Sequence, residues 1–290
     1  MNYLHHYHAG NFADVWKHAL LIPLIRGLQK KEKGFLFLDT HAGRGSYDLS
    51  LALQGDTLER RPEFPDGIGR LWHAENLGPV LADYLETVQR FDRERGNAAA
   101  DTPRYYPGSP RLAQLYLRPQ DRLAACELHP EEFAALEDEF FRQKGVSLHN
   151  LDGYTAIRAM LPPLEKRALV LIDPPFENQD EFARVLEALS EAQRRLPAAT
   201  VAVWYPLTQR ARADEFLQAV RIARRAPALT AELWIAGEYS NLKMHGCGLL
   251  VVNPPWQIDR EIAPVMKTLG SILQQESGGG VDLQWLVEEK

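Results

Sequence analysis

The chain has 290 residues, 45% of them hydrophobic and 25% charged, and a net charge of −6 at neutral pH. This length supports a substantial core, and the acidic balance excludes a protein that coats nucleic acid through bulk positive charge. No apolar run is long enough to cross a bilayer, and the amino terminus lacks the pattern of an export signal. We therefore expect a cytoplasmic protein with no membrane contact.

The chain begins with the histidine-rich stretch MNYLHHYHAGNFADVWKH, which leads into a predicted helix near Asp14. His5, His6, His8 and His18 could suggest a metal site. Zinc sites, however, usually combine histidines with cysteine or carboxylate partners at a fixed ligand spacing. We therefore expect no metal ion here.

Short apolar runs followed by turn residues alternate along the chain with amphipathic, helix-like segments. This alternation is typical of a mainly parallel sheet that is covered by helices on both faces. The sequence predicts one α/β domain over residues 1–290, with a Rossmann-like fold and a seven-stranded sheet. The predicted strands are residues 34–40, 122–128, 146–150, 168–173, 200–206, 229–235 and 246–253.

One interval interrupts this alternation. From Tyr47 to about Tyr106 no strand-like run occurs, although a doubly wound fold normally reaches its second strand within a few tens of residues. The intervening sequence is rich in helix formers, with apolar residues three and four apart. It predicts a small helical insertion subdomain at about residues 48–104.

Glycines follow the first predicted strand, in FLFLDTHAGRGS. Gly43 and Gly45 would let the backbone pass close to a nucleotide-like ligand. The third glycine of a dinucleotide fingerprint is replaced by Asp48, and the Gly-Lys-Ser/Thr ending of a phosphate loop is absent. The loop instead resembles the S-adenosylmethionine loop of Rossmann-like methyltransferases.

Acidic residues follow the next two predicted strands. Glu127, in ACELHP, stands where an open α/β sheet presents a carboxylate to ribose hydroxyls. Its alternative role is to cap the next helix, in which Pro130 suits a first-turn position. Asp152 and Gly153, in NLDGY, could hold an adenine amino group, but Asp-Gly is also a common turn.

The fourth predicted strand runs into Asp173, Pro174, Pro175 and Phe176. Such a turn suits the methylation of an exocyclic amine, a poor nucleophile because its lone pair is delocalised into the base. Hydrogen bonds from the amine to the Asp173 carboxylate and the Pro174 carbonyl would aim that lone pair at a methyl sulfonium. The prolines fix the turn and contribute no N–H, and Phe176 can stack on the base.

A rival turn, NPPW, follows the seventh predicted strand at residues 253–256. The glycine loop, Glu127, Asp-Gly and Asp173 follow strands one to four in order, along one edge of the sheet. Asn253 comes only after the chain has reached the far side of the sheet. We therefore assign NPPW a structural role and expect Trp256 to pack against the protein.

Nearly the whole chain resembles the RlmJ family of 23S rRNA adenine-N6-methyltransferases. The resemblance rests on YLHHYHAGNFADVWKH, LDTHAGRGSYDL, RYYPGSP, ELHP, DGY, LIDPPFE, VWYP and GLLVVNPPW, in that order. It implies cofactor contacts by His18, His41, Ser109, Glu127, Asp152 and Gly153, a catalytic role for Asp173, and substrate contacts by Tyr3, His5 and Lys17. Residues 1–18 would then cover the substrate and cofactor. Phe176 departs from the tyrosine that is usual in this turn, which keeps stacking and loses a hydroxyl.

The resemblance implies a class I enzyme that uses S-adenosyl-L-methionine, releases S-adenosyl-L-homocysteine and methylates an adenine of 23S rRNA. We expect this RNA to be free of protein or in an early assembly intermediate, and we expect no obligate protein partner. Two alternatives remain open: a DNA adenine methyltransferase, and a non-catalytic RNA-binding protein that keeps the fold. The DNA enzyme would be expected to carry a module for duplex recognition.

Overall fold

A computed structural model describes residues 7–54, 61–98, 101–223 and 225–288. Tyr3 and His5 therefore lie outside the described residues. Within these ranges the strands are β1 (Leu36–Asp39), β2 (Ser46–Asp48), β3 (Tyr105–Pro107), β4 (Arg122–Cys126), β5 (Val146–His149), β6 (Ala168–Ile172), β7 (Thr200–Pro206), β8 (Ala228–Trp234), β9 (Gly246–Val252) and β10 (Gly280–Val287). The α-helices are α1 (Phe12–Gln29), α2 (Ile68–Leu71), α3 (Pro79–Glu94), α4 (Ser109–Tyr116), α5 (Pro130–Glu139), α6 (Gly153–Met160), α7 (Glu181–Arg195), α8 (Arg210–Ala223) and α9 (Ile258–Leu273).

The central sheet has the strand order β10-β8-β9-β7-β6-β1-β4-β5. Strands β5, β4, β1, β6 and β7 are parallel, whereas β9 is antiparallel to both β7 and β8, and β10 is antiparallel to β8. The chain runs outward from β1 to one side and then returns to build the other side, so β1 lies at a topological switch point. Open α/β sheets bind ligands in the crevice at this point. The predicted Rossmann-like fold is confirmed.

The predicted count of seven strands is wrong, because β10 adds an eighth strand at the edge of the sheet. Its residues are mostly exposed or half-buried, so the apolar run that identified the other strands is missing. An edge strand pairs on one side only and can carry polar side chains. Two further short strands, β2 and β3, form a separate antiparallel pair.

Helix α1 is buried along most of its length. Asn11 caps it by accepting a hydrogen bond from the Asp14 N–H at 2.9 Å. The indole of Trp16 donates to the carbonyl of Ala231 in β8 at 3.3 Å and fastens the helix to the sheet. Positions three and four apart share a helix face, so Asp14, Lys17 and His18 project together.

Helices also account for the regular structure that is described between β2 and β3. Two 3₁₀ turns, Leu49–Gln54 and Phe64–Asp66, accompany α2 and α3. Buried residues of α2 and α3, including Leu71 and Tyr84, belong to the same apolar cluster as α1. This segment therefore shares the core of the domain and has no separate core of its own.

The NPPW turn lies at the opposite edge of the sheet from the ends of β1, β4 and β6, because β9 runs antiparallel to β7. Asn253 has a left-handed backbone with φ 53°, and its amide group donates to the carbonyl of Ala199 at 3.3 Å. The Thr200 hydroxyl donates to the Asn253 carbonyl at 2.8 Å. The expectation that Trp256 packs is wrong, because this residue is 68% exposed.

Two further observations concern the described residues as a set. Cys126 and Cys247 are both buried and unpaired. In the part of the chain that is described, no helix is long and apolar enough to span a membrane.

Candidate active site

A cavity of about 640 Å³ opens at the carboxyl edge of the parallel strands. It is bounded by α1, by the loops that follow β1, β4, β5, β6 and β7, and by the loop between β8 and β9. The predicted site residues that line it are Lys17, His18, His41, Gly43, Ser109, Glu127, Asp152, Gly153, Asp173, Pro174, Pro175 and Phe176. One cavity therefore brings together almost every predicted side chain that the structure describes.

Gly45 is the exception. It has a left-handed backbone with φ 82°, but its α-carbon faces α5, where an added Cβ would lie 3.0 Å from the side chains of Leu136 and Glu139. Its carbonyl accepts a hydrogen bond from the Gly108 N–H at 2.8 Å. Gly45 contacts α5 and Gly108 on the side of the loop away from the cavity. Its position therefore does not support the prediction of a direct cofactor contact.

Glu127 links two loops at the cavity wall. One carboxylate oxygen accepts from the Gly43 N–H at 2.9 Å, and the other accepts from the N–H of His129, the N-cap residue of α5, at 2.7 Å. The carboxylate thus contributes to helix capping and also holds the glycine loop. Both the functional and the capping interpretation of Glu127 are compatible with this geometry.

Asp152 is the N-cap of α6 and accepts from the Thr155 N–H at 2.8 Å. Its second oxygen accepts from the Arg184 guanidinium at 3.2 Å. Gly153 packs so tightly on the carbonyl of Thr40 that a Cβ at this position would overlap it. The glycine therefore lets the start of α6 approach the end of β1.

Ser109 and His41 lie around the buried end of β1. Ser109 is the first residue of α4, and Gly108 is the N-cap. Its hydroxyl donates to the Asp39 carboxyl at 2.6 Å. Burial lowers the pKa of His41 to about 4, so its imidazole is neutral at physiological pH. His41 Nδ1 lies 2.8 Å from the Thr40 hydroxyl.

A charged chain connects α1 to the turn after β6. The Lys17 ammonium donates to Asp14 Oδ1 at 2.8 Å and to Asp173 Oδ2 at 2.5 Å, and the Lys17 and Asp14 side chains are both buried. Burial disfavours the charged lysine, but the two carboxylates outweigh that penalty and hold the pKa of Lys17 well above its usual value. Lys17 therefore remains a cation and neutralises the charge of Asp173.

Phe176 ends the proline turn with a left-handed backbone, φ 50°. Such a conformation is rare for a bulky residue and is found where surrounding contacts enforce it. Its ring packs on Phe182 with 4.9 Å between centroids and meets Trp204 edge-on at 5.8 Å. The aromatic wall of the cavity therefore comprises Phe176 and Trp204 together.

Sequence reasoning missed several lining residues. Asp14 lies three positions before Lys17 on a helix, a spacing that could have indicated the pair. Trp204 lies within β7, directly after its apolar residues Val201 to Val203. Lys243 and Met244, in the loop between β8 and β9, carried no local signal.

The fold and the clustering of these side chains define the class of the protein, a Rossmann-like methyltransferase of class I. A family model described as "RsmJ: Ribosomal RNA large subunit methyltransferase D, RlmJ" matches residues 32–287. Relatives from Escherichia coli (strain K12) and Haemophilus influenzae, both named "Ribosomal RNA large subunit methyltransferase J", are each 35% identical over 289 residues, covering 100% of both chains. A crystal structure of a Legionella pneumophila protein matches with a TM-score of 0.83 and 34% identity, over 96% of this chain and 98% of that one. The chain belongs to the RlmJ family.

Proposed function

We propose that this protein transfers a methyl group from S-adenosyl-L-methionine to the N6 amine of an adenine in 23S rRNA. The observation that carries the proposal is the position of Asp173, which opens the Asp-Pro-Pro-Phe turn into the same cavity as the glycine loop at Gly43. Membership of the RlmJ family supports the substrate class.

The residues present fit the proposed cofactor. Glu127 and Asp152 offer carboxylate acceptors at the ends of β4 and β5, as ribose hydroxyls and an adenine amine require. Ser109 stands at the amino end of α4, where free N–H groups favour a carboxylate. His18 and His41 line the same cavity. When bound, the cofactor supplies an electrophilic methyl group on sulfonium.

Asp173 is assigned the role of orienting the nucleophile. Lys17 occupies its Oδ2 atom, and no other hydrogen bond to this carboxylate occurs among the described residues, so Oδ1 can accept from the target amine. The Pro174 carbonyl would accept the second amine proton, since the rigid prolines hold this turn in shape. Phe176 would stack on the base, which fixes the plane in which the amine lies. A proton is lost from nitrogen after alkylation.

The RNA must reach this cavity as an unpaired nucleotide, because N6 is inaccessible inside a stacked helix. We assign Lys17, together with Tyr3 and His5, to substrate engagement, and residues 1–18 to covering the site. We propose that residues 48–104 form a helical insertion within the domain. The expected substrate is 23S rRNA without protein or in an early assembly intermediate, in the cytoplasm.

The proposal is tested by single-turnover transfer of labelled methyl to naked 23S rRNA. Asp173→Ala should lower the rate roughly a hundredfold or more, the scale of losing one preorganised polar contact. The matched control is Asn253→Gly in the opposite proline turn, where glycine accepts the left-handed backbone and activity should persist. Loss of activity in the control with retention in Asp173→Ala would show that the wrong turn was assigned.

Substrate class is tested in the same assay. Naked 23S rRNA should acquire N6-methyladenine, and duplex DNA should not. Preferential methylation of duplex DNA would overturn the rRNA proposal, and absence of transfer to any nucleic acid would favour a non-catalytic binding protein.

A further inference from the structure

Three buried polar side chains form a hydrogen-bonded chain between the core and the cavity. His18 Nδ1 lies 2.8 Å from the Tyr106 hydroxyl, and the Tyr106 hydroxyl lies 2.8 Å from the Tyr84 hydroxyl. Their relative exposures are 1%, 0% and 0%, so water does not compete for these bonds. His18 lines the cavity, whereas Tyr84 belongs to α3, in the segment between β2 and β3.

Counting donors and acceptors fixes the direction of the chain. Among the described residues the Tyr84 hydroxyl has no hydrogen-bond partner except Tyr106, so its proton must point at the Tyr106 oxygen or at nothing. A buried hydroxyl without an acceptor costs about 1–3 kcal/mol. If Tyr84 donates to Tyr106, the proton of Tyr106 is directed to His18 Nδ1, which then acts as an acceptor.

The reverse direction is disfavoured. A proton on His18 Nδ1 would donate to Tyr106, Tyr106 would donate to Tyr84, and the Tyr84 proton would be stranded in the core. Loss of the unmatched proton by ionisation of a tyrosine is also disfavoured, because burial raises the pKa of both hydroxyls. The forward direction gives both hydroxyl protons an acceptor and places the imidazole proton on Nε2 of a residue that lines the cavity, where a bound ligand can accept it.

We propose that Tyr106, supported by Tyr84, is a positioning residue that holds His18 as the neutral imidazole with its proton on Nε2. His18 then serves the cavity as an N–H donor, which suits an oxygen atom of the bound cofactor. That the acceptor belongs to the cofactor rests on the proposed function, whereas the tautomer of His18 does not. The inference also gives α3 a role, since it supplies the first donor of the chain.

The tautomer is measured directly on the full-length protein. Uniform ¹⁵N labelling of histidine and long-range ¹H–¹⁵N correlation distinguish a protonated ring nitrogen from an acceptor nitrogen. His18→Gln assigns the His18 signals among the nine histidines of the chain. We expect an acceptor-type Nδ1 and a protonated Nε2 in the wild type near neutral pH. A protonated Nδ1, alone or in an imidazolium, overturns the proposal.

Two tyrosine variants form a matched pair. Tyr106→Phe removes the donor to Nδ1, so the His18 signals should shift away from the pure Nε2–H pattern, and cofactor affinity measured by calorimetry should fall about threefold to tenfold. Tyr84→Phe should retain the tautomer, because His18 Nδ1 is still the acceptor available to Tyr106. An identical tautomer in both variants contradicts the role of Tyr106.

The outcomes separate this inference from the proposed function. A wild-type Nε2–H tautomer that is lost in Tyr106→Phe, in a protein that methylates no RNA, would sustain the positioning role and refute the function. Normal RNA methylation by a wild-type protein whose His18 carries its proton on Nδ1 would sustain the proposed function and refute the positioning role. If Tyr106→Phe does not fold, the wild-type and Tyr84→Phe spectra still decide the direction of the chain.

Discussion

The Asp39 carboxyl, at the end of β1, is fully buried beneath the cavity. Burial raises its pKa to about 7, although the hydrogen bond from Ser109 and the charge of Lys17 act in the opposite direction; the charge of Asp173 raises it further. Its ordinary value is 3.8. Between these two values the folded protein holds a proton on Asp39 that the unfolded chain has released.

This difference makes stability depend on pH. The folded state binds more protons than the unfolded state over this window, so the contribution of Asp39 to stability falls as pH rises from about 4 to about 7 and is flat above. Asp39→Asn removes that term. The difference in unfolding free energy between the variant and the wild type should therefore change by about 2–3 kcal/mol in favour of the variant as the pH rises from 5 to 8. Urea unfolding at both values measures it, and parallel changes in the two proteins would contradict a raised pKa.

Single residues also show how far the sequence could be interpreted. Asp173 and Glu127 were predictable because each directly follows an apolar strand, and parallel strands end at one edge. The partner of Asp173 was not, because Lys17 is 156 positions away and only the packing of α1 brings it near. The position of Gly45 away from the cavity was not predictable, because a left-handed glycine looks the same in sequence whether it faces a ligand or a neighbouring helix.

At the scale of elements, the sequence predicts the strands and a mainly parallel sheet, but not which strands run antiparallel. The apolar run of β9 resembles that of β6, yet β9 is antiparallel, and this reversal places NPPW opposite the cavity and the β8–β9 loop beside it. The edge strand β10 was missed because strand recognition relied on burial, which an edge strand does not require. Helix α3, in contrast, was predictable from its apolar spacing.

The loop between β8 and β9 is expected to contact RNA. Leu242 and Met244 pack against the core and anchor it, Lys243 lines the cavity, and Tyr239 is 97% exposed. A base stacked on an exposed aromatic ring is worth about 1–3 kcal/mol. Tyr239→Ala should therefore raise the KM for RNA at least about fivefold and leave cofactor affinity unchanged.

The matched control is Phe141→Ala, which removes another aromatic side chain, 69% exposed, outside the loop between β8 and β9. Its KM for RNA should match that of the wild type. Steady-state kinetics with varied RNA, together with calorimetry for the cofactor, measures both variants. Equal effects of the two substitutions would mean that loss of surface aromatics, and not position, is responsible.

At the scale of the whole molecule, the segment between β2 and β3 is hydrogen-bonded to the start of α1. The Glu63 N–H donates to the Tyr7 carbonyl at 3.0 Å, and the Ile68 N–H donates to the Gly10 carbonyl at 2.8 Å. The Glu63 carboxylate also accepts from the Asn11 amide at 2.8 Å. These bonds fix the residues that cap α1, and α1 in turn carries Lys17 to the catalytic turn.

Gly67 is the tightest point of this contact, because a Cβ there would overlap the Gly10 carbonyl and the backbone of Asn11. Gly67→Ala should therefore displace the start of α1 and, through Lys17, disturb Asp173. Small misplacements of a catalytic group cost up to about a hundredfold in rate, so we expect single-turnover methylation of RNA to fall at least about tenfold. The control is Gly78→Ala at the N-cap of α3, where an added Cβ meets nothing within 4 Å. Both variants are assayed well below their melting temperatures, so that unfolding does not contribute. Equal turnover in the two variants would show that the contact between Gly67 and the start of α1 does not affect the catalytic turn.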